Sequence, residues 1–95
     1  MSAYFIANIR IKDEAAYSRY LAEVDTVFDR FNGKYITVEE NPIVLEGQWR
    51  YSRLVLIWFP DLESLRRWYG SEEYQRILKY RLEGAVCDTF VVQGP

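Results

Sequence analysis

Residues 3–11, AYFIANIRI, combine an almost unbroken hydrophobic pattern with aromatic and β-branched residues, which predicts a β-strand. Its two sides are Phe5, Ala7, Ile9 and Ile11, and Tyr4, Ile6, Asn8 and Arg10. A helical period of three to four residues follows, with Asp13 as its N-cap, and we expect Gly33 to end this helix as the C′ residue. The segment KYITVE, residues 34–39, predicts a second strand. Pro42 interrupts it, and IVLE, residues 43–46, is expected to resume it before a turn at GQWRYS.

The second half of the chain repeats this order of a strand, a helical region and a strand. RLVLIWF, residues 53–59, predicts the third strand, and Asp61 is the expected cap of the next helix. Gly70 and Ser71 divide that helical region, with Ser71 as the expected cap of its second part. Gly84 ends the region before the fourth strand, VCDTFVVQ. The order β-α-β-β-α-β predicts one domain over residues 1–95, an α+β ferredoxin-like fold with a four-stranded antiparallel sheet.

The third strand is apolar on both of its sides, and the first strand is nearly so. Val55, Ile57 and Phe59 alternate with Leu56 and Trp58 in the third strand. Because both helical regions of this fold cover the same face of the sheet, the other face of a monomer should be polar. Large exposed apolar patches mark interaction surfaces, so the pattern predicts a homodimer joined through the sheet faces.

Composition narrows the partners of the domain. The formal net charge of −2 gives no electrostatic footprint for nucleic acid or an anionic membrane. The first residues, MSAYFIANIRIKDE, lack the pattern of a signal peptide, and there is no apolar run long enough to span a membrane. We therefore expect a cytoplasmic protein that binds neither nucleic acid nor membrane.

The chain contains no histidine, which removes the commonest general base and the commonest metal ligand. Zinc or haem held by histidine and Ser-His or Cys-His catalysis are excluded. The acidic residues are scattered, and neither a P-loop nor a dinucleotide fingerprint occurs. The sequence predicts no metal site and no cofactor. The third strand also lacks the Arg/Lys-Gly-aromatic signature of RNA-recognition domains.

Several segments resemble one known family. AYFIANIRIKDEAAYSRYL, GKY, LEGQW, FPDLESLRRWYGSEEYQ and the later Arg81 are similar to domain of unknown function 1330 (DUF1330), from about Ala3 to Gly94. The resemblance implies the dimeric α/β-barrel superfamily, in which two ferredoxin-like sheets face each other and each subunit has a pocket between sheet and helices. Its relatives include cofactor-free oxygenases, haem-degrading enzymes, muconolactone-type isomerases and proteins without a known reaction. The resemblance thus implies an architecture and leaves the chemistry open.

Two arginines stand where core residues are expected. Arg81 shares a helical stripe with Tyr74, Ile77 and Leu78, and Arg53 is in phase with the buried side of the third strand. Such a charge must be paired or must reach the protein surface. In one interpretation, Glu46 or Asp88 pairs with each arginine. In the other, one or both guanidinium groups bind a carboxylate or enolate of a small ligand.

Other residues complete the predicted pocket. Asn8, Tyr69 and Tyr74 are candidates for orienting a ligand. Trp49 and Trp68, with Tyr69, form either an aromatic wall for it or part of the core.

Glu46 is the candidate for proton transfer, although glutamate in a turn is typically solvated or salt-bridged. Two functional classes stay open. The first is a binding protein or cofactor-independent enzyme, oxygenase-like or isomerase-like, for a small anionic or aromatic molecule. The second is a non-catalytic ligand-binding or structural dimer.

Overall fold

A computed structural model describes residues 1–95 and shows seven elements of secondary structure. They are β1 (Ser2–Ile11), α1 (Glu14–Asp29), β2 (Lys34–Glu39), β3 (Arg53–Phe59), α2 (Leu62–Gly70), α3 (Glu72–Gly84) and β4 (Ala85–Gly94). The four strands form one antiparallel sheet in the order β2-β3-β1-β4. The predicted α+β ferredoxin-like fold is confirmed, with the second helical region divided into α2 and α3.

Side-chain caps define where the helices begin. Asp13 accepts hydrogen bonds from the backbone N–H groups of Ala15 and Ala16 at the start of α1, at 3.0 and 3.2 Å. Asp61 caps α2 by accepting from the backbone N–H of Ser64 at 2.7 Å, and this bond lowers the pKa of the Asp61 carboxyl group. Ser71 caps α3, because its hydroxyl accepts from the N–H of Tyr74 at 3.1 Å. All three caps are the predicted residues.

Helix α1 ends earlier than predicted. Its last residue is Asp29, and the left-handed backbone conformation belongs to Asn32, with φ of 64°, so the prediction of Gly33 as C′ residue is wrong. Asparagine tolerates this conformation better than most residues. Gly33 has a different reason to be glycine, because a Cβ there would lie against the ring of Phe28 and 2.9 Å from that of Phe59.

Residues 40–52 form a loop, and the prediction that IVLE resumes the strand is wrong. The last pair between β2 and β3 joins Glu39 to Leu54, so the chain beyond Glu39 has no strand left to pair with. Ile43 and Leu45 are accordingly 89% and 90% exposed. Gly47 makes the expected bend, with φ of 84°.

The core lies between the helices and one face of the sheet. Phe5, Ala7 and Ile9 of β1 point into it, in register with Ile57, Val55 and Arg53 of β3. Trp68 is fully buried, with ring centroids of Phe5 and Tyr74 at 5.1 and 4.3 Å. None of the three helices is both long and apolar enough to cross a membrane.

The opposite face of the sheet has no helix over it and is largely apolar. Tyr4, Ile6, Leu56 and Trp58 are only half-buried there, and Phe90 is 55% exposed. We refer to this surface, formed by the alternate residues of β1, β3 and β4 that point away from the core, as the open face.

Candidate functional site

A cavity of about 230 Å³ lies between α1 and the sheet. Its floor is made by apolar side chains of the sheet, among them Phe5, Ala7 and Ile9 of β1 and Val55 and Ile57 of β3. The rest of the lining comes from α1, α3, β2 and β3: Tyr17, Tyr20, Leu21, Asp25, Tyr35, Val38, Arg53 and Arg81. We refer to this space as the helix–sheet cavity. Its mixture of apolar walls with a few polar groups is typical of a small-molecule site, and its volume, below the usual range of about 300–1,000 Å³, suits a small ligand.

Arg81, from the last turn of α3, is the most unusual group in this cavity. Its side chain is only 3% exposed, and it forms no salt bridge with any carboxylate of the chain. Its Nε–H is buried without a hydrogen-bond acceptor, and its guanidinium lies 5.7 Å from the ring centroid of Tyr20. A buried charge without a counter-ion is costly, so this side chain favours the presence of an anion.

Arg81 nevertheless stays protonated. Burial acts to lower the pKa of its guanidinium, but the negative charges that Tyr74 and Tyr20 acquire when they ionise at high pH, together with Cys87, outweigh burial and raise the pKa above its ordinary value. The cavity therefore contains a fixed positive charge at neutral pH.

Arg53 begins β3 and faces the same cavity, because its partner in the sheet is the buried Ile9. Its Nη2 donates to the Oε2 of Glu40 at 3.2 Å, while its Nε–H is buried without an acceptor. The guanidinium lies 5.7 Å from the ring centroid of Tyr17. Arg53 is thus partly neutralised, by one contact with a carboxylate whose side chain is 65% exposed.

The predicted carboxylate partners of the two arginines are wrong. Asp88 pairs with Asn8 in the sheet and therefore points to the open face, where it accepts from the hydroxyl of Tyr51 at 2.6 Å. Glu46 is exposed in the loop after β2 and makes no salt bridge. The real partner of Arg53 is Glu40, at the first position of that loop.

Tyrosine hydroxyls supply the remaining polar groups beside the arginines. The hydroxyls of Tyr20 and Tyr74 are 2.7 Å apart and share a hydrogen bond. Burial raises the pKa of both, and it also raises the pKa of Tyr17, where the charge of Arg53 offsets part of the effect. These phenols are consequently neutral near pH 7. Because one hydroxyl of the Tyr20–Tyr74 pair donates to the other, that pair retains one O–H proton for a further acceptor.

The mouth of the cavity is formed by its exposed lining residues on α1 and β2. Tyr35 donates its hydroxyl to Asp25 at 2.9 Å, and Leu21 and Val38 are 40% and 46% exposed. Asp25 is a residue that the sequence analysis missed. Its signal was the spacing Tyr17, Leu21, Asp25, which places all three on one side of α1.

The structure does not bring all the predicted site residues together. Arg53 and Arg81 line the helix–sheet cavity, and Tyr74 reaches it through Tyr20. Trp68 belongs to the core, as the second interpretation of the tryptophans had it. Tyr69 lines a separate groove of about 390 Å³ between α2 and β4.

Asn8 and Trp49 lie on the other side of the sheet. The Nε1–H of Trp49 donates to the Oδ1 of Asn8 at 3.1 Å, which fastens the loop of residues 40–52 against the open face. Asn8 therefore meets its hydrogen-bonding requirement through the loop. A ligand between the helices and the sheet does not reach these two residues or Glu46. The chain contains no cluster of three or more cysteine and carboxylate side chains suited to a metal ion.

Sequence comparison assigns the family. The profile described as "Domain of unknown function (DUF1330)" matches residues 2–95. The chain belongs to the DUF1330 family. No curated protein matches this DUF1330 chain in sequence.

Solved structures share the fold of this DUF1330 protein at low sequence identity. A protein of unknown function from Rhodopseudomonas palustris is 16% identical, with a TM-score of 0.78 over 99% of this chain and 82% of that one. A dimeric ferredoxin-like protein of unknown function from Jannaschia sp. CCS1 is 14% identical, with a TM-score of 0.76 over 99% and 100%. SnoaB, a cofactor-independent oxygenase from Streptomyces nogalater, is 12% identical, with a TM-score of 0.69 over 99% and 93%. At these identities the likeness shows the fold alone.

Proposed function

We propose that this DUF1330 protein binds a small organic anion in the helix–sheet cavity. The observation that carries the proposal is Arg81, a buried guanidinium that no carboxylate of the chain neutralises. A ligand carboxylate or enolate would supply the missing acceptor and counter-charge. Arg53 would contribute a second cation on the same lining.

The rest of the lining defines the body of the ligand. Aliphatic side chains of the sheet and the rings of Tyr17 and Tyr20 surround the space, so the ligand would be apolar or aromatic apart from its anionic group. When Tyr74 donates the hydrogen bond that the two tyrosines share, the neutral hydroxyl of Tyr20 is free to donate to the ligand and would orient it.

We further propose that the protein is a homodimer joined through the open face. This face exposes apolar residues of β1, β3 and β4, a surface that a monomer would leave in water. The dimeric ferredoxin-like protein from Jannaschia supports the proposal, since it has the same fold. The ligand cavity lies on the opposite face of the sheet and would stay accessible in such a dimer.

A second candidate function is cofactor-independent oxidation or isomerisation of the bound anion. The fold of SnoaB and the position of Arg81 beside two neutral phenols favour it, because these groups would stabilise an enolate. Asp25, which lines the cavity, is better placed than Glu46 to accept a proton. Binding without catalysis is the alternative within the same cavity.

Calorimetric titration with benzoate and aliphatic carboxylates tests the binding proposal. We expect binding by the native protein and at least a tenfold loss of affinity in Arg81→Met, since one charge-assisted hydrogen bond is worth about 1.5–3 kcal/mol. Lys79→Met is the matched control, because it removes one positive charge from the exposed side of the same helix. Equal affinity in the native protein and Arg81→Met, or no binding by either, would contradict the proposal.

Sedimentation equilibrium tests the dimer. We expect the mass of two chains for the native protein and of one chain for Leu56→Glu, which places a charge on the open face. Leu82→Glu is the control, because Leu82 is an exposed apolar residue on α3, 59% accessible, away from that face. A native mass of one chain at micromolar concentration would refute the dimer.

A further inference from the structure

The two arginines of the helix–sheet cavity differ in how they are neutralised. Arg81 has no carboxylate partner, whereas Arg53 has one, Glu40. The contact uses a single nitrogen and a single oxygen, Nη2 and Oε2, at 3.2 Å. A carboxylate that matched the planar guanidinium would make two parallel bonds, so the pairing of Arg53 with Glu40 is incomplete.

Glu40 is also easy to move. It is the first residue after β2, its side chain is 65% exposed, and Arg53 is its only salt-bridge partner. Arg53 is held more firmly, at 20% exposure and with a buried Nε–H that lacks an acceptor. An exposed ion pair of this kind contributes little to stability, so a competing anion can replace Glu40 at small cost.

We propose that Glu40 is a specificity-determining residue whose carboxylate occupies, on Arg53, the position that a second anionic group of a ligand would take. The inference rests on the proposed function. With Glu40 on Arg53, the uncompensated charge is that of Arg81, and the cavity selects a ligand with one anionic group. A ligand with two anionic groups must displace Glu40 from Arg53 before its second group is paired.

Removing the charge of Glu40 therefore changes which ligands the cavity prefers. In Glu40→Gln, Arg53 lacks its counter-ion, and the second carboxylate of a dianion binds it without competition. The affinity for a monocarboxylate held by Arg81 changes much less. The quantity that reports on Glu40 is the ratio of the two affinities, which is insensitive to general effects on folding.

The experiment compares benzoate with phthalate, isophthalate and terephthalate, which place a second carboxylate at three different separations. In calorimetric titration of Glu40→Gln, the affinity for at least one dicarboxylate should rise about fivefold or more relative to the affinity for benzoate. This factor corresponds to about 1 kcal/mol, the upper end of the free energy of an exposed ion pair. The matched control is Glu23→Gln, which removes the same charge from another exposed single-contact ion pair, that of Glu23 with Arg76 at 2.9 Å, whose residues do not line the helix–sheet cavity. Because Glu23 is solvent-exposed and outside the cavity, we expect the ratio for this variant to stay within about twofold of the native one.

Each outcome bears on a different claim. If benzoate binds through Arg81 but Glu40→Gln leaves the ratio unchanged, or if Glu23→Gln shifts it equally, the role of Glu40 is refuted and the anion cavity stands. If neither benzoate nor any dicarboxylate binds the native protein or the variants, both the cavity proposal and the inference are overturned. The additional variant Glu40→Gln/Arg53→Gln should lose the dicarboxylate gain, because the second cation is then gone.

Discussion

Replacing Arg81 with methionine should stabilise the unliganded protein while it removes anion binding. The buried Nε–H of Arg81 has no acceptor, and an unsatisfied buried donor costs about 1–3 kcal/mol. Methionine has no such donor and fills a similar volume. Against this gain, the variant loses the guanidinium contact over Tyr20, worth about 0.5–2 kcal/mol. Tyr20 and Tyr74 keep their mutual hydrogen bond, so neither hydroxyl is left without a hydrogen-bond partner in the variant.

The balance of these terms is a stabilisation of about 1 kcal/mol. In a domain of this length, 1 kcal/mol corresponds to a rise in Tm of about 4–8 °C. Thermal unfolding followed by circular dichroism measures the change, and native and variant proteins are compared at one protein concentration, since a dimer would make Tm concentration-dependent. Lys79→Met, on the exposed side of the same helix, should change stability by less than about 0.5 kcal/mol.

A structural role for Arg81 predicts the opposite sign. Breaking a buried charge interaction that the folded chain itself completes costs about 3–5 kcal/mol, so Tm would fall by more than about 10 °C. That result would refute the reasoning. A second measurement separates the two roles further. Benzoate at a hundred times its Kd should stabilise the native protein by about 2.7 kcal/mol and should leave Arg81→Met unchanged.

Three further predictions follow from the packing. Gly84→Ala should lower the free energy of unfolding, measured in urea, by about 1–3 kcal/mol, because the added Cβ would lie 2.6 Å from the backbone nitrogen of Tyr17. Gly70→Ala is the control and should be close to neutral, since no atom lies within 4 Å of the Cβ it adds. Burial raises the pKa values of Tyr17 and Tyr20 above 10.0, so the folded protein holds their protons more tightly than the unfolded chain does. Their contribution to stability is therefore complete below pH 10.0 and is lost as the pH rises above it. Ultraviolet titration should show these two tyrosines ionising only as the protein unfolds. Asn8→Ala should leave the Kd for benzoate within about twofold of the native value, because Asn8 lies on the open face; a larger loss would place the ligand elsewhere.

Local signals predicted most of the fold. Each helix cap was readable because an aspartate or serine directly precedes a helical period. The two sides of β1 were readable because the alternation of side chains is strict. The errors fall after β2 and after α1, where tertiary geometry decides the conformation. IVLE has the composition of a strand, but β3 begins too late to pair with it.

The same distinction applies to the candidate site. The periodicity of α3 and β3 predicted that Arg81 and Arg53 face the core, and both line one cavity. Periodicity carries no information about a partner contributed by a loop, so Glu40 could not be identified from it. Asn8 and Trp49 were grouped with the arginines by residue type, yet the alternation of β1 already placed Asn8 on the side opposite Ile9.

The disagreement between pattern and residue type is itself the strongest indication of where the site lies. Nearly every core-facing position of β1, β3 and α3 carries an apolar or aromatic side chain, and Arg53 and Arg81 are the charged exceptions. In natural proteins, residues whose type conflicts with their structural position, such as a charge facing the core, tend to occur at functional sites. Both exceptions border the same space, although they come from elements far apart in the chain. Burial of Arg53 and burial of Arg81 each lower the stability of the unliganded protein, and a shared anionic ligand explains both more simply than two unrelated packing defects. The stability of Arg81→Met tests that explanation directly.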